Sequence, residues 1–84
     1  MRKKGKTAQI IPTRPKDLVK IFQKLGLKVI GQKGSHIKMF KEGMLRDVII
    51  SNHANKPLHP NMIKSNIKTA GITQQEYLDA YNSL

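Results

Sequence analysis

The sequence predicts a small α+β domain in which a helix, three antiparallel strands and a second helix follow one another, with a possible short final helix. Two segments with apolar residues at helical spacing enclose three short segments of alternating or β-branched residues. The turns between the strand segments are too short for parallel pairing. Since 84 residues allow only one modest core, we expect one sheet with its helices on a single face.

The first helix is predicted from Pro15 to Leu25. Pro15 suits the first helical position, where a backbone N–H has no partner in any case. Apolar residues recur at intervals of three and four and form one stripe, which consists of Leu18, Ile21, Phe22 and Leu25. Gly26 follows, as expected for the left-handed residue that ends many helices.

Three strands are predicted next, over residues 27–33, 36–41 and 45–50, with turns at Gly34-Ser35 and Glu42-Gly43. Alternation directs one set of side chains towards the core, namely Leu27, Val29, Ile37 and Met39. His36 and Lys38 then lie on the opposite, outer face of the sheet.

Two helices complete the predicted fold. Pro60 begins the second helix and Gly71 ends it; its apolar side carries Ile63, Ile67 and Ala70. A capping box formed by Thr73 and Glu76 predicts the start of a short last helix. The inner face of that helix would carry Tyr77, Leu78 and Tyr81.

The charge of the chain is strongly positive and unevenly placed. Sixteen lysines and arginines oppose five acidic residues, which leaves a net charge of +11. All basic residues lie within residues 1–68, whereas residues 69–84 carry two acidic groups and no basic one. Such a field favours nucleic acid, an acidic membrane or an acidic protein as partner. We expect residues 1–12 to form a flexible basic arm, which either contacts phosphate or is merely solvated, and residues 13–84 to form the single domain.

Several classes of function are disfavoured. The absence of cysteine excludes disulfides, zinc–thiolate sites and a cysteine nucleophile. No apolar run approaches the ~20 residues of a membrane span, and no apolar segment typical of a secretory signal follows the basic N-terminus. Neither a phosphate-binding glycine loop nor a clustered set of carboxylates is present. We therefore expect a cytoplasmic protein that faces nucleic acid and needs no metal or other cofactor.

His36 is the main candidate for chemistry. It follows the Gly34-Ser35 turn, lies between Lys33 and Lys38 in sequence, and is directed away from the core. An imidazole titrates near neutral pH, so it can take the proton of an RNA 2′-hydroxyl while nearby cations stabilise charge on the phosphate. An ordinary exposed strand histidine remains the alternative. His53 and His59 lie in a polar loop without acidic neighbours, and no role is assigned to them.

The run from Gly31 to Lys38, Gly-Gln-Lys-Gly-Ser-His-Ile-Lys, resembles the central motif of the HicA toxins, which are mRNA interferases of bacterial toxin–antitoxin pairs. The resemblance extends in order over residues 13–81. It includes the leucine-rich first helix, the histidine- and lysine-bearing loop that ends at Lys56, the second helix to Ile72, and the Thr73–Leu78 run. Ser51 stands where many members have a proline two positions before the loop histidine.

This resemblance implies a double-stranded-RNA-binding-like fold and a type II toxin that cleaves mRNA without a metal and thereby inhibits translation. It implies that His36 is the single catalytic residue and that a HicB-type antitoxin covers it. We expect RNA to contact the motif and the loop through Lys33, Gly34, Ser35, Lys38 and Lys56. Two alternatives stay open: a module of the same fold that binds RNA without cutting it, and a degraded toxin that only pairs with its antitoxin.

Overall fold

A computed structural model describes residues 9–84 and confirms the predicted fold class. The elements are α1 (Pro15–Lys24), β1 (Lys28–Lys33), β2 (His36–Phe40), β3 (Val48–Ser51), α2 (Pro60–Ala70) and α3 (Gln74–Asn82). The strands form one antiparallel sheet in the order β1-β2-β3. The helices cover one face of this sheet and leave the other face uncovered. The last helix, which the sequence suggested as a possible addition, is present.

The core lies between the sheet and the helices. The buried side chains of β2 and β3 alternate along each strand and are Ile37, Met39, Val48 and Ile50. The helices contribute Leu18, Ile21, Phe22, Ile63, Ile67, Tyr77 and Leu78. Each such side chain contributes roughly 1.5–3 kcal/mol when it is fully buried. The rings of Phe22 and Tyr77 meet at a centroid distance of 6.1 Å and join α1 to α3.

The strand register defines which side chains share a face, because paired residues in an antiparallel sheet point the same way. Three rows cross the outer face. They are Lys33–His36–Ser51, Gly31–Lys38–Ile49 and, on two strands only, Lys28–Phe40. The rows between them carry the core residues of β2 and β3. A β-bulge between Val29 and Gly31 adds one residue to the edge strand.

Two details of the strands differ from the prediction. The third strand begins at Val48 rather than at residue 45, and Leu45 is 99% exposed. A turn in which the Met44 amide donates to the Lys41 carbonyl oxygen places the half-buried Met44 against the core instead. Val29 was expected to face the core, but it is 45% exposed because β1 is an edge strand at which the helical layer ends.

Ordered contacts begin before residue 13, the predicted start of the domain. Ile10 is 9% exposed and packs against the core. Thr13 and Leu58 form an isolated antiparallel bridge, in which the Leu58 amide donates to the Thr13 carbonyl oxygen over 2.8 Å. These contacts join the segment before α1 to the segment before α2. The remainder of the predicted arm, residues 1–8, lies outside the described residues.

The predicted helix ends are confirmed with small shifts. The first helix ends at Lys24, and Gly71 adopts a left-handed conformation (φ 74°) after α2. The capping box of α3 is complete: the Thr73 hydroxyl accepts from the Glu76 amide, and the Glu76 carboxylate accepts from the Thr73 amide. In α3 the buried residues include Ala80, whereas Tyr81 is only half-buried.

Tyr77 places a polar group in the core. The side chain is 1% exposed, and among residues 9–84 its hydroxyl makes no hydrogen bond of good geometry. The Thr13 hydroxyl donates to the Ile11 carbonyl oxygen at 2.9 Å. Burial raises the pKa of Tyr77 to about 12; an interaction with the Thr13 side chain opposes this shift only in part, and Tyr81 adds to it.

Replacing Tyr77 by Phe tests this description of the core. A buried hydroxyl without a partner costs roughly 1–3 kcal/mol, so the free energy of unfolding of Tyr77→Phe at pH 7 should be unchanged or higher. Between pH 10 and about 12 the unfolded chain loses the tyrosine proton while the folded protein keeps it. Tyr77 therefore lowers stability as pH rises through this window, by at most ~1.4 kcal/mol per pH unit.

Urea unfolding of both proteins at pH 7 and across pH 9.5–12 measures both effects. The variant should lose less stability than the wild type in the alkaline range. A loss of more than about 1 kcal/mol at pH 7 would show that the hydroxyl has a favourable partner.

Candidate functional site

His36 is the first residue of β2, and the sheet directs its side chain outward. Its neighbours Ile37 and Met39 alternate into the core, so His36 and Lys38 are exposed on the opposite face, as the sequence predicted. Lys33 is its direct partner on β1 and Ser51 its direct partner on β3. The imidazole therefore lies in the middle strand, with a cation beside it on one side and a hydroxyl on the other.

A two-residue turn connects β1 to β2 immediately before His36. Gly34 has a φ of 59°, as the first central position of a type II′ turn requires, and a Cβ there would meet no other atom. The Gln32 side-chain amide donates to the Gly34 carbonyl oxygen. The Ser35 carbonyl oxygen accepts from the Asn52 amide at 2.6 Å. The turn is thus held in place on both sides and is open above Gly34.

The outer face around His36 is positive. Lys33 lies across from His36, and Lys38 follows two residues later on the same strand and face. Gly31 is the β1 partner of Lys38 and leaves open space beside it. Lys56, the last lysine predicted for RNA contact, is exposed on the loop rather than on the sheet. The structure thus brings Lys33, Gly34, Ser35, His36 and Lys38 together.

The loop after β3 is fastened to three parts of the fold. At its start Asn52 is bonded to the Ser35 carbonyl oxygen, and at its end Leu58 pairs with Thr13. In the middle, Asn55 accepts two hydrogen bonds from the beginning of α1. Arg14 Nη1 donates to its backbone carbonyl oxygen, and the Lys16 amide donates to its side-chain Oδ1. Arg14 has no capping side chain of its own, so the loop caps α1 from across the fold.

The turn within this loop has an unusual backbone. The Lys56 amide donates to the His53 carbonyl oxygen, and the Asn55 amide donates to the Asn52 side chain. Both central residues, Ala54 and Asn55, are left-handed with φ of 56° and 54°. Asparagine tolerates this conformation, whereas alanine in it costs roughly 1–2 kcal/mol. The surrounding hydrogen bonds offset this cost and hold the turn in one shape.

This loop brings His53 next to His36. The two rings meet edge to face, with centroids 6.4 Å apart and an angle of 84° between their planes. His53 was not among the predicted site residues, because its closeness to His36 depends on strand pairing and not on neighbours in sequence. The signal was available, since antiparallel pairing places the residues after β3 beside the beginning of β2.

His59, in contrast, has a structural role. It is the N-cap of α2, and its Nδ1 accepts a hydrogen bond from the Asn61 amide at 3.0 Å. Residues 9–84 contain no group of three histidine, aspartate or glutamate side chains that could hold a metal ion. The helices described over residues 9–84 include no candidate membrane span.

A groove of about 750 Å³ lies at another place, between the β2–β3 loop and the C-terminal end of α2. Its lining includes Lys41, Arg46 and Lys68, together with the fully exposed Leu45. It contains no histidine, and its acidic member is Glu42 alone. A groove without a group that titrates near neutral pH offers no acid–base chemistry comparable to that of the outer face.

Comparison with known proteins agrees with the resemblance noted in the sequence. The family model described as the HicA toxin of bacterial toxin–antitoxin systems matches residues 15–72, from the beginning of α1 to just after α2. No curated protein matches the chain, and no solved structure matches it. The matched range includes the whole sheet, the Gly-Ser-His turn and the loop that carries His53. The chain therefore belongs to the HicA family of bacterial toxins, which act in toxin–antitoxin systems.

Proposed function

We propose that the protein is a metal-independent endoribonuclease that cleaves mRNA in the cytoplasm and so inhibits translation as the toxin of a type II pair. One observation carries this proposal. His36, which follows the Gly34-Ser35 turn within the range matched by the family model, is exposed on the uncovered sheet face and paired directly with Lys33. A group able to take a proton thus lies beside a cation on a surface that RNA can reach.

The proposed reaction begins at the 2′-hydroxyl of the ribose. The His36 imidazole takes its proton as the 2′ oxygen attacks phosphorus, and the bond from phosphorus to the 5′ oxygen of the next nucleotide breaks. Lys33 and Lys38 stabilise the negative charge that develops on the phosphate oxygens. The open space above Gly34 allows the sugar–phosphate backbone to approach the turn closely.

Rigid support is the second argument for this site. His36 extends from a central strand, and the turn before it is bonded to the β3 side through Ser35 and Asn52. A catalytic group held by a sheet needs little reorganisation on substrate binding. Lysines on flexible side chains can then adjust to the phosphates while the histidine stays in place.

Replacing His36 by Ala should abolish most cleavage without unfolding the protein, because the side chain is exposed. Loss of a general base lowers rates by ~10²–10⁴-fold. The measurement is cleavage of a labelled mRNA by purified protein, with and without a chelator, together with growth of bacteria that express the variant. His59→Asn is the matched control, because asparagine also caps helices and His59 lies outside the site.

Wild-type cleavage that persists in the chelator and is lost only in His36→Ala supports the proposal. Equal cleavage by wild type and a folded His36→Ala protein would contradict the assignment. RNA binding by the wild type without any cleavage would favour the non-catalytic alternative.

RNA binding should be mainly electrostatic and should depend on Lys33, Lys38 and Lys56. Each phosphate contact removed by an alanine substitution should reduce the slope of log K against log salt concentration by roughly 0.7 for single-stranded RNA. The measurement is a salt titration of binding in the His36→Ala background, where the RNA stays intact.

Lys24→Ala is the control for these three variants. Lys24 lies in the last turn of α1, in the helical layer and beside Glu76 and Asp79. Its substitution removes the same charge but should leave the slope unchanged. Affinity that does not respond to salt, or an equal change in all four variants, would contradict specific phosphate contacts on the outer face.

The partner of a family toxin is its antitoxin, and we propose that a HicB-type protein covers the outer face. The lysines around His36 make this face suited to an acidic surface, and opposite charges speed association. A cover at this position blocks RNA entry while the core beneath stays folded.

Amide hydrogen exchange of the toxin with and without its antitoxin tests this mode of inhibition. We expect strong new protection at residues 33–40, where the turn and β2 lie. Protection confined to residues 69–84, with RNA cleavage still inhibited, would contradict occlusion of the site.

A further inference from the structure

The proposed cleavage also requires a proton donor for the departing 5′ oxygen, and no residue has yet been assigned to that role. When the bond from phosphorus to the 5′ oxygen breaks, that oxygen departs as an alkoxide unless it receives a proton. His36 accepts the proton of the attacking hydroxyl, and in an in-line displacement the leaving oxygen lies on the opposite side of phosphorus from that hydroxyl. A second group that carries a proton near neutral pH is needed on the other side of the phosphate.

His53 meets this requirement by position. It is exposed, and its ring lies edge to face with that of His36 at a centroid distance of 6.4 Å. Even with a nitrogen of each ring aimed at the other, the two nitrogens would be roughly 4 Å apart, beyond hydrogen-bond length. The rings are therefore close enough to contact one phosphodiester and too far apart to form a hydrogen bond with each other.

Hydrogen bonds on both sides of His53 hold the loop, and with it this histidine, in position beside His36. Asn52, directly before it, is bonded to the turn that precedes His36. Asn55, two residues after it, is bonded to the beginning of α1. Ala54 between them keeps a left-handed conformation that is costly for alanine. Strain that several hydrogen bonds maintain beside an exposed histidine is typical of a functional position.

We propose that His53 is a second catalytic residue, which donates a proton to the departing 5′ oxygen. This inference rests on the proposed ribonuclease function and adds a residue that the single-histidine expectation lacks. Lys33 and Lys38 lie beside His36 on the outer face, and the Lys56 amide donates to the His53 carbonyl oxygen. In this proposal the lysine side chains stabilise charge and take no part in the proton transfers.

The step is balanced within the two histidines and the RNA. Neutral His36 takes the 2′-hydroxyl proton, the 2′ oxygen bonds to phosphorus, and the phosphorus–5′ oxygen bond breaks. Protonated His53 gives its proton to the 5′ oxygen. The products are a 2′,3′-cyclic phosphate and a free 5′-hydroxyl, and no oxidant, reductant or metal is consumed. Exchange with water then returns each imidazole to its initial state.

The arrangement fits an in-line displacement. In such a reaction the attacking and leaving oxygens lie on opposite sides of phosphorus, so the base and the acid must approach from different directions. His36 extends from the sheet and His53 from the loop beside it, with ring planes 84° apart. The two imidazoles therefore reach a phosphate bound beside them from different elements of the fold, one from the sheet and one from the loop.

A modified substrate tests the proposal directly. The experiment compares a short RNA that contains the preferred cleavage site with the same RNA carrying sulfur in place of the bridging 5′ oxygen. Sulfur departs without a proton, because a thiol with a pKa near ~8.5 is a far stronger acid than an alcohol. Only the general acid becomes dispensable on this substrate, and the general base stays necessary.

The variants are His53→Ala, His53→Phe and His36→Ala, with His59→Asn as the matched histidine control. Both His53 variants should cleave ordinary RNA ~10²–10⁴-fold more slowly than the wild type. On the sulfur substrate they should approach the wild-type rate, whereas His36→Ala should stay slow. His53→Phe keeps the edge-to-face ring contact without a donor, and circular dichroism verifies that each variant is folded.

The alternatives give different results. His53→Phe with full activity on ordinary RNA would show that only ring packing matters and would overturn the proposal. His53 variants that are equally slow on both substrates would indicate a positioning role and would also overturn it. Undiminished cleavage by His53→Ala would leave the ribonuclease function standing without this residue. A wild type that cuts neither substrate would overturn the proposed function and the inference together.

Discussion

The fold of this protein depends on burial of one face of the three-stranded sheet beneath the helices. Ile37 and Met39 of the central strand must lie beneath the helices, because a chain of 84 residues can build no second core. Alternation along β2 then forces His36 and Lys38 to the opposite face. Burial of the apolar residues and exposure of the candidate catalytic group are therefore consequences of the same strand register.

The uncovered face of the sheet is unsuited to packing in a core and suited to binding a phosphate. Its lysines would be costly to bury without partners, and Gly31 and Gly34 leave open space beside them. The helical layer on the other side supplies the stability that this face does not. The helix-covered face stabilises the fold and the uncovered face carries the positive charge. A small domain can therefore present a positive surface and still fold.

The loop from Asn52 to Leu58 joins these two sides of the molecule. It caps α1 through Asn55, pairs with the segment before α1 through Leu58, and is bonded to the turn before His36 through Asn52. The positions of His36 and His53 relative to each other thus depend on the helical layer as well as on the sheet. Membership of the HicA family agrees with this view, since the matched range contains the sheet, the loop and α1, whereas Thr13 and Arg14 lie just before it.

Local patterns in the sequence determined the elements and the first candidate residue. Three features depend only on neighbours in sequence and can be recognised without the tertiary structure. They are the helical stripe from Leu18 to Phe22, the capping box at Thr73 and the Gly-Ser-His turn. Tertiary structure decided what depends on distant partners. Val29 is exposed because its strand is an edge, Ile10 is buried because the segment before α1 packs on the core, and the strand that was expected at residue 45 begins at Val48 because Met44 turns inward. The contact of His53 with His36 belongs to this second group, because it requires β3 to pair beside β2 and α1 to hold the loop.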